Sequence, residues 1–406
     1  MNRCKSRSLA LAFVCAGLSL PGLAQELPAP VFPGTAWETR TPADLGMNEV
    51  KLAEAKAYAL TRNGAGMIVR NGYVVSTWGT TTDRFPVASV TKAIGTLLLG
   101  YAIKDQGVSL DARAQDYYLD IGTNPAENIA TGWLDDITVL ELATHSSGFE
   151  KAGGAPRLKF EPQSRWVYSD GAANWLADVL TVRLNEDLAT VLKREFLDHM
   201  NIVLVTTGSG GIDWRPVTDA DARGPTINGI QRRQFNGGIS AHVDAMARIG
   251  LLIERSGNWN GTQLLQPEFV ARLAAPAANI AGLPIRDTGD APDDRFPNAT
   301  AHSGIYWWNN ADGTLPNVPR DAFWAWGRGD HMIVVIPSMH LVVARTSSKA
   351  NEGLDRQQPW AWKETPICQD SMCAHYDAID PFITPIVQSI TGGRSEEHTS
   401  ELQSPI

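Results

Sequence analysis

The chain has 406 residues, of which 43% are hydrophobic and 19% are charged, and its formal net charge is −9. This composition is ordinary for a globular protein and the length allows one large domain or two moderate ones. The acidic balance and the lack of any run rich in lysine and arginine argue against nucleic acid as a partner.

Both ends of the sequence are expected to lie outside the folded domain. Residues 1–24 have a basic start, an apolar stretch over residues 9–20 and small residues before Gln25, which is the organisation of a secretory signal peptide. We therefore expect export, cleavage after Ala24, a periplasmic location and no stable membrane span. Residues 394–406 resemble the translation of a sequencing adapter and are expected to be non-native, which leaves a domain over residues 25–393.

Two cysteines, Cys368 and Cys373, remain once the signal peptide is removed. In an oxidising compartment, such a close pair is most simply a disulfide that closes a short loop. A metal site that used the nearby His375 would need a further ligand that the sequence does not make evident. We expect no metal and no other cofactor.

Apolar periodicity and turn residues predict the secondary structure. The predicted elements, in chain order, are a helix over residues 47–62, a hairpin over 66–76 with an Asn-Gly turn, helices over 89–104, 172–184 and 243–255, a surface loop over 279–300, a hairpin over 333–344 and a helix over 380–391. The simplest assembly pairs the two hairpins in one sheet. The predicted fold class is α+β, an antiparallel sheet flanked by helices with an inserted helical region.

The chemistry of the chain centres on Ser89 and Lys92, at the start of the long apolar helix. Positions i and i+3 share one face of a helix, so the serine hydroxyl and the lysine amine are expected within hydrogen-bond reach. Free N–H groups at the helix N-terminus add a partial positive charge beside the serine. This arrangement suits a serine nucleophile. The non-catalytic alternative is that Ser89 only caps the helix and that Lys92 is exposed to solvent.

Further motifs supply the context that a lone Ser-x-x-Lys pattern lacks. They are the turn Leu142-Ala143-Thr144-His145-Ser146-Ser147-Gly148, the triplet Tyr168-Ser169-Asp170, the segment Gly237-Gly238-Ile239-Ser240 and the segment Trp324-Ala325-Trp326-Gly327-Arg328-Gly329. In order and spacing, the chain over about residues 45–390 resembles the serine β-lactamase and penicillin-binding-protein superfamily. More narrowly, it is similar to the class C β-lactamase-related hydrolases, among them esterases, D-amino-peptidases and 6-aminohexanoate-oligomer hydrolases. The resemblance implies a β-lactamase/transpeptidase-like fold.

The residues themselves suggest roles that agree with the resemblance. Ser89 would attack an acyl carbon, and Lys92, in apolar surroundings, is expected to have a lowered pKa and to accept a proton. Tyr168 would be the partner that carries the proton to the leaving group. Asp170 is expected either to bond Lys92 or, as the favoured reading, to cap the helix that follows it.

The two histidines near these motifs have different expected roles. His145, in the Ser-Gly turn, is expected to be structural rather than a general base. His331 lies on the suspected active-site strand, and its side chain either faces the cleft in support of the site or lies within the fold.

The resemblance also implies an oxyanion hole made of two backbone N–H groups. One belongs to Ser89 and the other to the strand of the third motif, near Gly327 or Arg328. Where the family has a lysine that binds substrate carboxylates, this chain has Ala325 or Trp326. The change favours ester or small amide substrates in a cleft partly walled by tryptophan.

The function predicted from the sequence is a secreted serine hydrolase that works through an acyl-enzyme on Ser89. Its partner would be a small-molecule substrate, a carboxylic ester or a short amide. A D-peptidase and a weak β-lactamase are the alternative activities. The alternative from another class is a non-catalytic protein that binds a cell-wall ligand on the same scaffold.

Overall fold

The structure is a computed structural model and describes residues 27–205, 210–219, 221–285, 298–347 and 379–391. The α-helices in these ranges are α1 (Glu49–Leu60), α2 (Val90–Gln106), α3 (Val139–Ala143), α4 (Asp170–Leu184), α5 (Leu188–Leu192), α6 (Val243–Glu254), α7 (Pro267–Ala274), α8 (Ala299–His302) and α9 (Asp380–Thr391). The strands are β1 (Gly66–Arg70), β2 (Tyr73–Trp78), β3 (Phe85–Pro86), β4 (Ile212–Trp214), β5 (Thr226–Ile227), β6 (Ile230–Gln231), β7 (Ile239–Ala241), β8 (Asn258–Trp259), β9 (Thr262–Gln263), β10 (Trp308–Asn309), β11 (Phe323–Gly327), β12 (His331–Ile336) and β13 (Leu341–Arg345).

The main sheet has six antiparallel strands in the order β10-β11-β12-β13-β1-β2. The two predicted hairpins meet at its centre, where Ile68 of β1 lies opposite Val343 of β13. The first hairpin turns at Asn71 and Gly72, which both have positive φ, the conformation that two-residue hairpin turns require. The predicted assembly of one antiparallel sheet from both ends of the chain is confirmed.

Helices cover both faces of this sheet because its strands are apolar on both sides. Along β12, Ile333 and Val335 belong to one buried cluster together with residues of α2 and α6. Met332, Val334 and Ile336 alternate with them and belong to a second cluster together with residues of α1 and α9. Side chains of a strand point alternately to opposite faces, so the molecule has three layers, with the sheet in the middle.

The inserted helical region packs beside the sheet and is centred on α2. This helix contacts β11 and β12 on one side and α4 and α5 on the other. It is therefore apolar all round, and Leu97, Leu98 and Leu99 are all fully buried. The helix ends at Gly107, which adopts the left-handed conformation typical of a helix C-terminus.

Several expectations are refined or fall outside the described residues. Helix α4 begins two residues earlier than expected, and α8 lies at the end of the segment expected to be a loop. The signal peptide, the adapter-like tail and the pair Cys368 and Cys373 lie outside the described residues, so these expectations and the domain boundaries stay predictions. None of the helices in the described ranges is long and apolar enough to cross a membrane.

Candidate active site

Ser89 lies in a tight turn between β3 and α2. The preceding residue, Ala88, has a φ of 48°, a left-handed conformation that non-glycine residues rarely adopt. Ser89 occupies the N-cap position, but its hydroxyl makes no cap hydrogen bond. The simple capping role therefore does not explain this serine, and strained backbone of this kind is frequent at functional sites.

Lys92 lies one helical turn after Ser89 and is 2% exposed. Its Nζ donates to Ser89 Oγ at 3.2 Å, to Asp170 Oδ1 at 2.6 Å and to the backbone carbonyl of Asn236 at 3.2 Å. Tyr168 is a further hydrogen-bond partner, so four groups share the three N–H donors of this ammonium. The predicted proximity of the serine and the lysine is thus present in the structure.

The expectation of a lowered pKa for Lys92 is wrong. Burial alone would lower the pKa of Lys92, but the nearby Asp170 and Tyr168 outweigh it and raise the pKa above its ordinary value. Burial alone would raise the pKa of Asp170, but the charges of Lys151 and Lys92 hold it well below its ordinary value. Lys92 is therefore protonated and paired with a carboxylate. The expectation failed because it considered only the apolar helix of Lys92, whereas the carboxylate comes from another element.

Asp170 does not cap α4, contrary to the favoured reading. The cap is Ser169, whose Oγ accepts from the backbone N–H of Ala172 at 2.9 Å. This leaves the Asp170 carboxylate free to bridge two lysines, because Oδ1 accepts from Lys92 and Oδ2 lies 3.4 Å from the Nζ of Lys151. The other reading of the sequence, a bond between Asp170 and Lys92, is the one found.

Tyr168 stands between the same two lysines. The Nζ atoms of Lys92 and Lys151 lie 4.8 Å and 4.4 Å from the centre of its ring. The ring of His145 packs against it at 4.5 Å. Tyr168 is 7% exposed, so both lysines act on it in a largely dry environment.

His145 has the structural surroundings that its turn predicts. Its Nδ1 accepts from the backbone N–H of Ser169 at 3.1 Å, so the ring proton of the neutral side chain lies on Nε2. Burial and the charge of Lys92 hold the pKa of His145 well below its usual value. The ring is thus a neutral packing partner of Tyr168.

A single small pocket joins these side chains. Its empty volume, with the open solvent at its mouth included, is about 240 Å³. The residues that line it are Ser89, Lys92, His145, Tyr168, Ser303, Tyr306, Trp308 and Trp326. The candidates Ser89, Lys92 and Tyr168 therefore face one space, although they come from α2 and from the segment before α4.

The third-motif strand, β11, forms one side of this pocket. Trp326 lines the pocket, whereas Ala325 is fully buried on the opposite face of the sheet. A Cβ added at Gly327 would lie 2.2 Å from the carbonyl oxygen of Val87, so the strand end touches the turn that holds the serine. Arg328, the next residue, is exposed just beyond the strand.

His331 does not face the pocket, so the reading that it supports the site is wrong. It is 1% exposed, and its Nδ1 accepts from the backbone N–H of Ser347 at 3.3 Å. Burial, together with the charge of Arg345, lowers the pKa of His331 to about 3. The side chain points into the fold because it alternates with Met332 on a strand that is buried on both sides.

Sequence reasoning missed part of the pocket wall. Ser303, Tyr306 and Trp308 are not among the site residues that the sequence predicts, although they line the pocket. The doublet Trp307-Trp308 carried a usable signal, because neighbouring residues of an extended segment point to opposite sides. Trp307 indeed joins the core, whereas Trp308 lines the pocket.

Metal-ligating residues do not gather at this site. Within the described ranges, no group of three or more histidine, cysteine, aspartate or glutamate side chains is placed to hold a metal ion. The acidic side chain beside the pocket, Asp170, is engaged by Lys92 and Lys151.

Comparisons with known proteins concern the family and the fold. The family model described as Beta-lactamase matches residues 53–365. No curated protein matches the sequence.

Three solved structures illustrate the similarity of fold. One is a protein from Bacillus anthracis assigned as a 6-aminohexanoate-dimer hydrolase, with 15% identity, 83% of this chain and 82% of that chain covered, and a TM-score of 0.58. Another is EstCE1, a hydrolase with promiscuous acyltransferase activity, with 15% identity, 84% and 98% coverage and a TM-score of 0.56. The third is simvastatin synthase from Aspergillus terreus, with 16% identity, 85% and 98% coverage and a TM-score of 0.56.

The family model spans more than three quarters of the chain, and the similar structures share its fold over most of their length. The predicted β-lactamase/transpeptidase-like fold is confirmed. The chain belongs to the Beta-lactamase family and has its serine hydrolase fold.

Proposed function

We propose that the protein hydrolyses carboxylic esters or short amides through an acyl-enzyme on Ser89. The observation that carries this proposal is the contact of 3.2 Å between Ser89 Oγ and the buried Nζ of Lys92, in a pocket that Tyr168 also lines. A nucleophile, a fixed positive charge and a proton carrier thus share one small space.

Tyr168 is the group to which we assign the proton transfer. Lys92 is already protonated with its donors in use, and both nitrogens of His145 are engaged or protonated. The serine oxygen bonds the acyl carbon while the phenolic oxygen of Tyr168 takes the proton of Ser89 and passes its own proton to the departing oxygen or nitrogen. The acyl-enzyme then forms with no net change of protonation at Tyr168.

Lys92 acts in this scheme as a fixed cation. Its ammonium stabilises negative charge on the oxygens of Ser89 and Tyr168 as the proton moves between them. The backbone N–H of Ser89 and an N–H at the end of β11, at Gly327 or Arg328, would hold the oxygen of the tetrahedral intermediate. Water then attacks the acyl carbon and gives a proton to Tyr168, which passes its own proton to Ser89 Oγ as the bond between the serine and the acyl carbon breaks and the acid leaves.

The substrate is proposed to be a small molecule that the protein meets after export to the periplasm. A D-peptidase or a weak β-lactamase is less well supported, because both act on substrates with a carboxylate. The resemblance places the family's lysine for that group at Ala325 or Trp326, and Trp326 lines the pocket.

The test is the replacement of Ser89 and Tyr168. We expect Ser89→Ala to lower kcat/KM for p-nitrophenyl butyrate by roughly 10⁴-fold or more, and Tyr168→Phe by roughly 10²-fold or more. A fluorophosphonate probe should label the wild-type protein at Ser89, as located by mass spectrometry. Unchanged turnover in Ser89→Ala would remove Ser89 from the mechanism, whereas a wild-type protein with neither turnover nor label would favour the non-catalytic binding protein.

A further inference from the structure

A second lysine, Lys151, reaches the site from the segment between α3 and α4. Its Nζ lies 4.4 Å from the centre of the Tyr168 ring and 3.4 Å from Oδ2 of Asp170. The Nζ of Lys92 lies 4.8 Å from the centre of the same ring and 2.6 Å from the other carboxylate oxygen, Oδ1. The two lysines therefore share one aromatic ring and one carboxylate, although Lys151 lies outside the motifs that carry the resemblance.

The backbone around Lys151 is tied to the start of α4. The carbonyl oxygen of Lys151 accepts from the N–H of Asp170 at 3.1 Å. The carbonyl oxygen of the preceding residue, Glu150, accepts from Ser169 Oγ at 2.7 Å. Lys151 is therefore held by the same helix end that places Asp170, so the contact between its ammonium and this carboxylate is built into the fold.

The site has a positive net charge only because Lys151 is present. Asp170 lies 2.6 Å from Lys92, so this pair by itself carries no net charge. His145, which packs on Tyr168, is neutral, because burial and the charge of Lys92 hold its pKa well below the usual value. Among the charged groups that the described part of the chain places beside Tyr168, Lys151 is therefore the one that leaves an excess of positive charge.

The surroundings of Tyr168 allow this excess charge to act on it. Tyr168 is 7% exposed, and the side chain of Lys151 is 29% exposed. Charges interact more strongly where water is excluded, so a cation in contact with a buried ring acts strongly on charge that develops there. In the proposed mechanism such charge develops while the phenolic oxygen exchanges protons with Ser89 and the leaving group. The resting site, with a neutral phenol and a neutral ester, has no such charge to stabilise.

We propose that Lys151 is a positioning residue of the acylation site and that its charge stabilises negative charge on Tyr168 while a proton passes through that side chain. This inference rests on the proposed function and adds a residue to it. Lys151 contacts Tyr168 and Asp170 but does not line the pocket, so it acts through Tyr168. Without Lys151, the carboxylate of Asp170 would cancel the charge of Lys92, and negative charge on the phenolic oxygen would develop beside a neutral pair.

Neutral and charged replacements of Lys151 test this role. We expect Lys151→Met to lower kcat/KM for p-nitrophenyl butyrate by roughly tenfold, because a partly exposed ammonium contributes less than a fully enclosed donor. Lys151→Gln, which is also neutral, should lower it by a similar factor. Lys151→Arg keeps the charge above the ring and should stay closer to the wild type than to either neutral variant.

The loss in the neutral variants should appear in kcat and leave KM nearly unchanged. Formation and hydrolysis of the acyl-enzyme both pass a proton through Tyr168, so both steps slow together. A neutral ester offers Lys151 no charge to bind before the reaction starts. A packing defect, by contrast, would not follow the charge of the replacement.

Lys104→Met is the matched control. Lys104 has the same exposed fraction of 29% and also pairs with an aspartate, but it lies in the last turn of α2. Its replacement removes one positive charge from the protein and should keep the wild-type kcat/KM. Rates are counted per serine that a fluorophosphonate has labelled once the reaction is complete, so unfolded molecules do not enter the comparison.

The outcomes distinguish the role of Lys151 from the proposed function. Neutral variants that keep the rate of Lys104→Met would overturn the role of Lys151 and leave the hydrolase standing. A Lys151→Arg protein as slow as the neutral variants would do the same. A wild-type protein without Ser89-dependent turnover would overturn the proposed function and the role of Lys151 together.

Discussion

The charge state of Lys92 depends on one carboxylate from another element. Its own helix is apolar, and from that the sequence predicts a neutral amine. Asp170 follows it by 78 positions in the chain, yet lies 2.6 Å from its Nζ. The sequence allowed two roles for Asp170, a bond to Lys92 and a cap on the following helix. Because Ser169 caps α4, the carboxylate of Asp170 is available to bond Lys92.

This pair gives a prediction at the scale of single residues. In Asp170→Asn the main group that raises the pKa of Lys92 is lost, so burial dominates and the pKa of Lys92 falls. If the ammonium form is the active one, the alkaline limb of kcat/KM moves to lower pH than in the wild type. The measurement is the rate of ester hydrolysis between about pH 6 and pH 10.

A carboxylate at the surface provides the control for this prediction. Asp116 pairs with Arg113 in an exposed ion pair, so Asp116→Asn should keep the wild-type pH profile. An alkaline limb in Asp170→Asn that coincides with that of Asp116→Asn would contradict the assigned role of the buried pair.

Secondary structure was predictable where the pattern is local, and contacts between elements were not. The Asn-Gly turn and the alternating strands around it are short-range signals, and both hairpins form as expected. The approach of Gly327 to Val87 joins residues 240 positions apart, and it depends on how β11 packs on α2. The strand end and the serine turn therefore form one unit that the sequence alone does not display.

This contact gives a prediction at the scale of elements. In Gly327→Ala the added Cβ would lie 2.2 Å from the carbonyl oxygen of Val87, so the strand or the serine turn must shift. A misplacement of about 1 Å between reacting groups costs roughly 10²-fold in rate, and we expect a loss of that order in kcat/KM for p-nitrophenyl butyrate.

The matched change is Gly34→Ala, at a glycine where an added Cβ meets no atom within 4 Å. It should keep the wild-type rate. Melting temperatures of both variants show whether the protein is folded under the assay conditions. A folded Gly327→Ala protein with the full rate would mean that the strand does not contribute to the site.

At the scale of the whole molecule, the sheet joins the two ends of the described chain. Strands β1 and β13 pair at its centre, and helices α1 and α9 pack together on one face. The pairing of the two end hairpins could be predicted from the sequence, because both consist of apolar strands that must be buried. The sequence pattern does not show which polar side chains are buried with them, and His331 is one of these.

His331 makes the stability of the whole fold depend on pH. Its pKa is about 3 in the folded protein, whereas an unfolded histidine has a pKa of about 6.5. Between these values the unfolded chain binds a proton that the folded chain does not, so the free energy of unfolding falls as the pH is lowered. One such group contributes a slope of at most about 1.4 kcal/mol per pH unit, and His145 acts in the same sense.

We expect His331→Asn to flatten this slope, because its amide does not titrate and its oxygen still offers an acceptor to the N–H of Ser347. Urea unfolding at about pH 7, 6 and 5 gives the slope for each protein. Gly34→Ala, which changes no titratable group and adds a Cβ that meets no atom within 4 Å, should retain the wild-type slope. The comparison uses differences across pH, so it remains valid if the Asn variant is less stable at every pH. Equal slopes in wild type and His331→Asn would show that burial of this ring does not set the acid sensitivity of the fold.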